Sequence, residues 1–392
     1  MGYEIKGIDT TGVRRSETEE STLHRDTMIL EAGYPAPTTA GAFVPPLQFS
    51  STFTAPGDPS HHQFTYGRFH NPTWTVWEEA LGILDGGHAV SFASGMAAVS
   101  AVFGISVRPG DLVVLPADSY STTRVLASNW LSKIGVQVRL APTRNDAQAE
   151  VLDGARLLWI ETPANPQLDV CDIRHLVDVA RAHGVQVAVD NTTATAYLQQ
   201  PLKLGADYVV ASDTKALTGH SDLVLGHVAT ADEERTAALR EWRTQHGAIP
   251  GPMETWLAHR SLATLPLRLT RQCASAMRLA ELLSVDSGVS AVYYPGMPDH
   301  PGHSVATRQM SSFGPVVSFD LGTRGRAEAF LRTLRIVREA TSFGGVHSTA
   351  ERRERWGGDA ISEGFIRFSA GCEAVEDLLE DVARSLRVAN AF

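Results

Sequence analysis

The sequence predicts an α/β fold: a large domain whose mostly parallel sheet lies between helices, followed by a smaller α+β domain at the carboxyl end. Three observations carry that expectation. Short runs, mostly rich in β-branched residues, recur at 112–115, 136–140, 157–161, 185–190, 208–212 and 224–229. Amphipathic stretches of helical length, such as 123–133 and 173–183, lie between them, the spacing of parallel strands covered on both faces. Beyond about residue 251 the alternation stops, and a chain of 392 residues exceeds what one core commonly holds, so at least two domains are expected.

Taken in order, residues 1–25 are rich in Glu, Arg, Ser and Thr and read as a mobile arm. Pro and Gly break residues 32–60 too often for regular elements, so 1–60 form an N-terminal arm. Residues 61–250 form the large domain, with helices at 74–84 and 96–105 ahead of the six strands and with right-handed crossovers between parallel neighbours. Residues 251–392 form the second domain. It opens with helices at 253–263 and 267–283, the latter long enough to join two domains. Strands follow at 289–294, 316–321 and 364–369, with helices at 326–334 and 374–388.

Composition narrows the function. With 43% hydrophobic and 20% charged residues the chain is ordinary for a soluble protein, and its net charge of −10 opposes binding to nucleic acid. The first twenty residues are polar and charged, unlike a signal peptide, and no apolar run is long enough to span a bilayer. Cys171, Cys273 and Cys372 form neither a disulfide framework nor a metal-binding spacing. A cytoplasmic, metal-free protein acting on a small molecule is expected.

The chemistry points to residues 185–222. One apolar run ends at Asp190 and a second leads into Ser212-Asp213-Thr214-Lys215, which puts a carboxylate and an amine just past the carboxyl ends of successive strands, where open α/β sheets bind ligands. Asp190-Asn191-Thr192 also suits a turn or helix cap, and most lysines are solvated. Yet the chain has four lysines beside thirty arginines, and only Lys215 follows an apolar strand within a hydroxyl-rich segment. A buried acid and amine facing one pocket suit pyridoxal 5'-phosphate (PLP). Burial makes the amine nucleophilic toward an aldehyde, the carboxylate keeps the ring nitrogen protonated, and the Ser212 and Thr214 hydroxyls can bind the phosphate.

Five runs, VAVDNTTAT, SDTKALTGHSD, TYGRFHNPTW, SGMAA and FIRFSAG, stand in an order that resembles the Cys/Met-metabolism family of PLP-dependent enzymes. That family includes cystathionine γ-lyase, cystathionine γ-synthase and methionine γ-lyase, and the similarity runs from about residue 26 to about 388. The resemblance implies fold type I, the aspartate-aminotransferase-like architecture. Ser94-Gly95 opens a helix, a natural anion site, and the resemblance assigns the Gly95 and Met96 amides to the PLP phosphate. It places Tyr66 and Arg68 in a neighbouring subunit's site, making a dimer the minimal active unit and a homotetramer common. It assigns Tyr120 to stacking on the PLP ring with an acid–base role, and Asn165 to the cofactor's 3'-oxygen and the substrate carboxylate. Arg367 lies in an apolar strand, where an unpaired guanidinium is costly, so it needs an anion. The resemblance supplies the amino acid's α-carboxylate, with Ser342 nearby. His220 in GHSD is read as structural.

The resemblance implies γ-elimination from a sulfur amino acid, in the manner of cystathionine γ-lyase, with Lys215 moving the protons helped by Tyr120. Two positions depart from the γ-lyase pattern: Thr65 and His347 stand where acidic residues would hold cystathionine's distal ammonium. Thr122 stands in place of the cysteine of methionine γ-lyases. A γ-replacement on an activated amino acid, S-adenosylmethionine included, is the alternative. A PLP-fold binding subunit without chemistry and a cofactor-free Schiff-base aldolase are more remote ones.

Overall fold

The computed structural model describes residues 23–35 and 40–392; the expected mobile arm lies outside them except for its last three residues. The large sheet contains β1 (His88–Phe92), β2 (Leu112–Pro116), β3 (Gln137–Ala141), β4 (Ala155–Glu161), β5 (Gln186–Asp190), β6 (Tyr208–Ala211) and β7 (Gly226–Thr230). Their spatial order is β1-β7-β6-β5-β4-β2-β3. Strands β2 to β6 pair in parallel, and β7 runs antiparallel to both β6 and β1.

The period-two alternation of side chains explains why both faces are apolar. Leu157 and Trp159 of β4 join Val113, Leu115 and Val210 in a core with Val99, Val102 and Phe103 of the helix Gly95–Ser106. Leu158 and Ile160 point the other way, packing with Val114, Val187 and Val189 against Leu176, Val177 and Ala180 of the helix Ile173–Ala182. Strand register then sets the site. Glu161 is paired with Asp190 across β4 and β5, and Asp190 with Val210 across β5 and β6, so three strands end at one level.

The second sheet holds β8 (Ala291–Tyr293), β9 (Val316–Asp320), β10 (Arg338–Glu339), β11 (Thr349–Arg352) and β12 (Phe365–Ser369), in the order β10-β11-β12-β9-β8. All its pairings are antiparallel except β10 with β11. Val317, Phe319, Ile366 and Phe368 pack on Phe330, Leu378 and Val382 from the helices Arg324–Thr333 and Val375–Ala389. The helix Leu265–Ser284 serves both cores. Leu265, Leu269 and Cys273 pack with Trp77 and Leu81, whereas Ala276, Leu279 and Leu283 pack on the small sheet.

Two strands and one helix illustrate where the structure differs from the sequence expectation. Strand β1 was not expected, because five residues between two helices carry too little periodicity to stand out. Strand β11, TAER, reads as polar, and its Glu351 lies opposite Arg367 of β12. The helix expected at 123–133 holds its α-helical form over Ser121–Leu126, widens to a π turn over Ala127–Leu131 and tightens to a 3₁₀ turn, stopping at Gly135 with φ 86°.

Trp159 is fully buried, 5.0 Å in ring centroid distance from Phe103. Trp159→Ala should lower the free energy of unfolding by about 3–5 kcal/mol. Denaturant titration followed by circular dichroism measures it, and a loss below about 1 kcal/mol would contradict the packing described.

Candidate active site

The loops beyond the carboxyl ends of β4, β5 and β6 meet the start of the helix Gly95–Ser106 and the edge of the small sheet around a cavity of about 590 Å³. Its walls include Lys215, Asp190, Tyr120, Gly95, Met96, Asn165, Ser212, Thr214, Ser342 and Arg367, ten of the expected site residues. The large domain supplies the first eight and the small domain the last two.

Lys215 follows β6 by four residues. Its Nζ donates to Ser342 Oγ at 2.8 Å and lies 5.3 Å from the Phe343 ring centroid. Burial, reinforced by the Arg367 charge, pushes the amine down to about 8, so a substantial fraction is neutral and nucleophilic near neutrality. Ser342 has φ 77°, a left-handed conformation that costs a serine energy and is typical of constrained functional sites.

Asp190 closes β5. Burial pushes its carboxyl up, against donation from the Thr192 N–H at 3.0 Å and the Lys215 charge. Thr192 passes the constraint on, because its Oγ1 accepts from the Ser212 N–H at 2.9 Å. Glu161, at the end of β4, is a site residue that sequence reasoning missed. It accepts from the Tyr120 N–H and the Asn165 N–H, both at 2.8 Å, and so sets the position of two expected ligands. Burial first and Asp190 second push Glu161 well above the usual carboxylate range. The signal was available: like Asp190, it is an acid ending an apolar strand.

Gly95 and Met96 begin a twelve-residue helix capped by Ser94, whose Oγ accepts from the Ala97 N–H at 3.1 Å. The first amides of a helix have no intrahelical acceptor, and these two border the cavity. Close approach demands glycine here. A Cβ on Gly95 would lie 2.7 Å from Ser212 Cβ, and one on Gly226 would lie 2.6 Å from the Gly95 backbone. Thr214 is tied into its own loop, exchanging hydrogen bonds of 3.1 Å with the carbonyl and N–H of Leu225. Ser212 is therefore the freer hydroxyl for a phosphate.

Arg367, buried in β12, donates to Asn165 Oδ1 at 2.7 Å, to the Ser342 carbonyl at 3.3 Å and to Glu351. Burial lowers its guanidinium to about 10, with Glu351 opposing, so it stays charged at neutral pH. Sequence reasoning asked for an anion beside this arginine and did not find Glu351, which the chain supplies from the neighbouring strand.

Below the lysine loop lies a fully buried cluster. His227 Nδ1 is bonded to Asp213 and its Nε2 to Asp85 at 3.0 Å. Burial alone would depress the imidazolium, but the two carboxylates override it and push His227 up to about 10. The cluster ties the residue two before Lys215 to β7 and to the helix Pro72–Asp85. His220 hydrogen-bonds the Thr218 carbonyl, in keeping with a structural role.

Four expected residues stay outside this cavity. Arg68 donates to the Thr244 carbonyl at 2.8 Å and covers the Tyr66 ring at 5.6 Å. Thr65 borders a separate groove with Phe69 and Arg240, and His347 is exposed.

The residues fit PLP on three grounds: an amine pushed down to about 8, an amide cradle that a Cβ would fill, and two adjacent buried acids that burial pushes up. A protonated ring nitrogen would supply a compensating positive charge. Gly226→Ala should weaken PLP affinity by about tenfold or more while leaving the circular dichroism spectrum unchanged, because the added methyl displaces the cradle. Spectrophotometric titration of the cofactor-free protein checks this, and an unchanged affinity would refute the cradle.

Known proteins agree with the geometry. A Streptomyces coelicolor protein provisionally named cystathionine gamma-lyase is 53% identical over 365 residues, covering 92% of this chain and 93% of that one. A Lactococcus lactis cystathionine beta-lyase is 38% identical, covering 92% and 98%. The crystal structure of a cystathionine gamma synthase from Xanthomonas oryzae pv. oryzae in complex with cystathionine superimposes with a TM-score of 0.90 at 36% identity, covering 93% and 98%. The sequence profile described as Cys/Met metabolism PLP-dependent enzyme matches residues 26–387. With that match over most of its length, and with its lysine and its paired acids in one cavity, the chain belongs to the Cys/Met-metabolism family of PLP-dependent enzymes.

Proposed function

We propose that the protein catalyses γ-elimination from a sulfur amino acid of the cystathionine type, releasing a thiol, ammonia and a 2-oxo acid. The observation that carries this reading is the convergence of Lys215, Asp190 and Arg367 on one cavity. The name of the Streptomyces coelicolor relative supports the same reaction. Bound PLP supplies the electron sink that makes protons on the substrate's α and β carbons removable. Asp190 holds the charge on the cofactor's ring nitrogen. Arg367 and Asn165 hold the α-carboxylate, and the Ser342 hydroxyl, already on Lys215 Nζ, aims the amine. Lys215, poised near 8, can take a proton from carbon and return one to the departing sulfur. Tyr120, whose backbone Glu161 fixes, is the second proton carrier.

Neither Thr65 nor His347 offers a fixed negative charge to a distal ammonium, which favours a second reading, γ-replacement by an incoming thiol or on an activated amino acid. Product analysis with and without added thiol separates the two. Tyr66 and Arg68, outside this cavity and just beyond an arm with exposed Phe43 and Phe49, support a dimer in which they complete the partner's site, with a tetramer built from two such dimers. Among the described residues no helix is long and apolar enough to cross a membrane. The three free cysteines suit a reducing, cytoplasmic compartment.

Lys215→Ala should remove both the visible absorbance of bound cofactor and turnover; retained turnover would refute its role. Arg367→Ala should raise KM by about 100-fold and leave PLP bound, since it removes a charged hydrogen bond to the substrate's α-carboxylate. Loss of PLP instead would place Arg367 at the phosphate. Because the neutral amine captures the aldehyde, the rate of PLP uptake by cofactor-free protein should rise roughly tenfold per pH unit below about 8 and level off above it. Stopped-flow absorbance measures this, and a flat profile between pH 6 and 8 would contradict the depressed lysine.

A further inference from the structure

We propose that Arg353 forms a second anion subsite in the cavity and selects substrates whose leaving group carries a negative charge. This rests on the elimination reading and names the substrate class it leaves open. Arg353 lines the same cavity as Lys215 and Arg367, and only 6% of its surface is exposed. A guanidinium carries five N–H donors. Two are used, from Nη1 to Glu351 Oε1 at 3.3 Å and from Nη2 to Asp359 Oδ2 at 3.0 Å, while Nε has no partner. The same Glu351 oxygen also serves Arg367, so a single carboxylate oxygen is shared by two buried guanidiniums on one cavity wall. Buried donors left without acceptors are unfavourable, and an anion entering the cavity relieves that cost.

Placement assigns the anion to the leaving group. Arg367, with Asn165 and Ser342, forms the corner next to Lys215, which accounts for the substrate's carboxylate and amine. Arg353 is connected the other way. Asp359 joins it to Arg124 at 2.6 Å, and Arg124 Nε donates to the Ser119 carbonyl at 3.0 Å, next to Tyr120. Trp356, held by its Nε1 on Glu351 Oε2 at 2.8 Å, walls the same side with Ser121 and Thr122. The side chain of a bound amino acid extends along that wall.

The test compares O-succinyl-L-homoserine with O-acetyl-L-homoserine, leaving groups that differ by one carboxylate, on the PLP-loaded enzyme. The wild type should favour the succinyl ester in kcat/KM by about tenfold or more, the scale of a single charge-assisted hydrogen bond. Arg353→Met should erase that preference while changing the acetyl ester by less than about threefold, and Arg353→Lys should restore part of it. Asp359→Asn, which breaks the link to Arg124 but keeps the cation, should retain the preference and so controls for folding. An equal loss on both esters in Arg353→Met, or no preference in the wild type, overturns the proposal. Affinities for both esters are also read from changes in the visible absorbance of bound cofactor. A protein that turns over neither ester nor cystathionine would sink the elimination reading, and the two affinities would then decide the subsite.

Discussion

The site depends on one constraint: two carboxyls, Glu161 and Asp190, are brought side by side in a dry interior by the register of β4 against β5. Neither is comfortable there, and burial raises both. That discomfort is useful. The backbone donors that stabilise Glu161 are those of Tyr120 and Asn165, so holding the acid also fixes two residues of the cavity wall. Asp190 fixes Thr192, and Thr192 fixes Ser212, which begins the segment carrying Lys215. A preorganised chain of hydrogen bonds thus runs from strand tips to nucleophile.

The lysine loop is held from beneath as well. The Asp85–His227–Asp213 cluster ties it to β7, and the contact of Gly226 with Gly95 brings the helix amides to the same strand. The cavity is closed by the small domain, whose β12 presents Arg367 and whose neighbouring strand presents Glu351. Depression of the Lys215 amine depends on that closure, because after burial Arg367 is the largest influence on it. The Lys215 amine and the Arg367 guanidinium are therefore linked electrostatically across the two sheets.

The small domain also carries a densely charged segment. Residues 351–359, ERRERWGGD, concentrate three arginines, two glutamates, a tryptophan and an aspartate, and Arg353 and Trp356 among them line the cavity. Glu351 accepts from Arg353, Arg355, Arg367 and Trp356, which makes it the organising acid of that wall.

By itself the sequence determined the α/β class, the strand-ending Asp190, the lone well-placed Lys215, the glycine-opened helix and the arginine in an apolar strand. Each follows from a local signal: period-two or helical patterning, or a charge where none is tolerated without purpose. The tertiary structure decided what those charges meet. Glu351 lies sixteen residues before Arg367 in a segment that reads as polar, and becomes its partner only through antiparallel pairing. Glu161 became an organising acid through parallel register, and His227 an imidazolium through two aspartates that are distant from it in sequence. Tyr66 and Arg68, alike in sequence to ligands, fall outside the cavity of their own chain. Local pattern reports burial and backbone form, whereas electrostatic partnership depends on which strands pair and in what register.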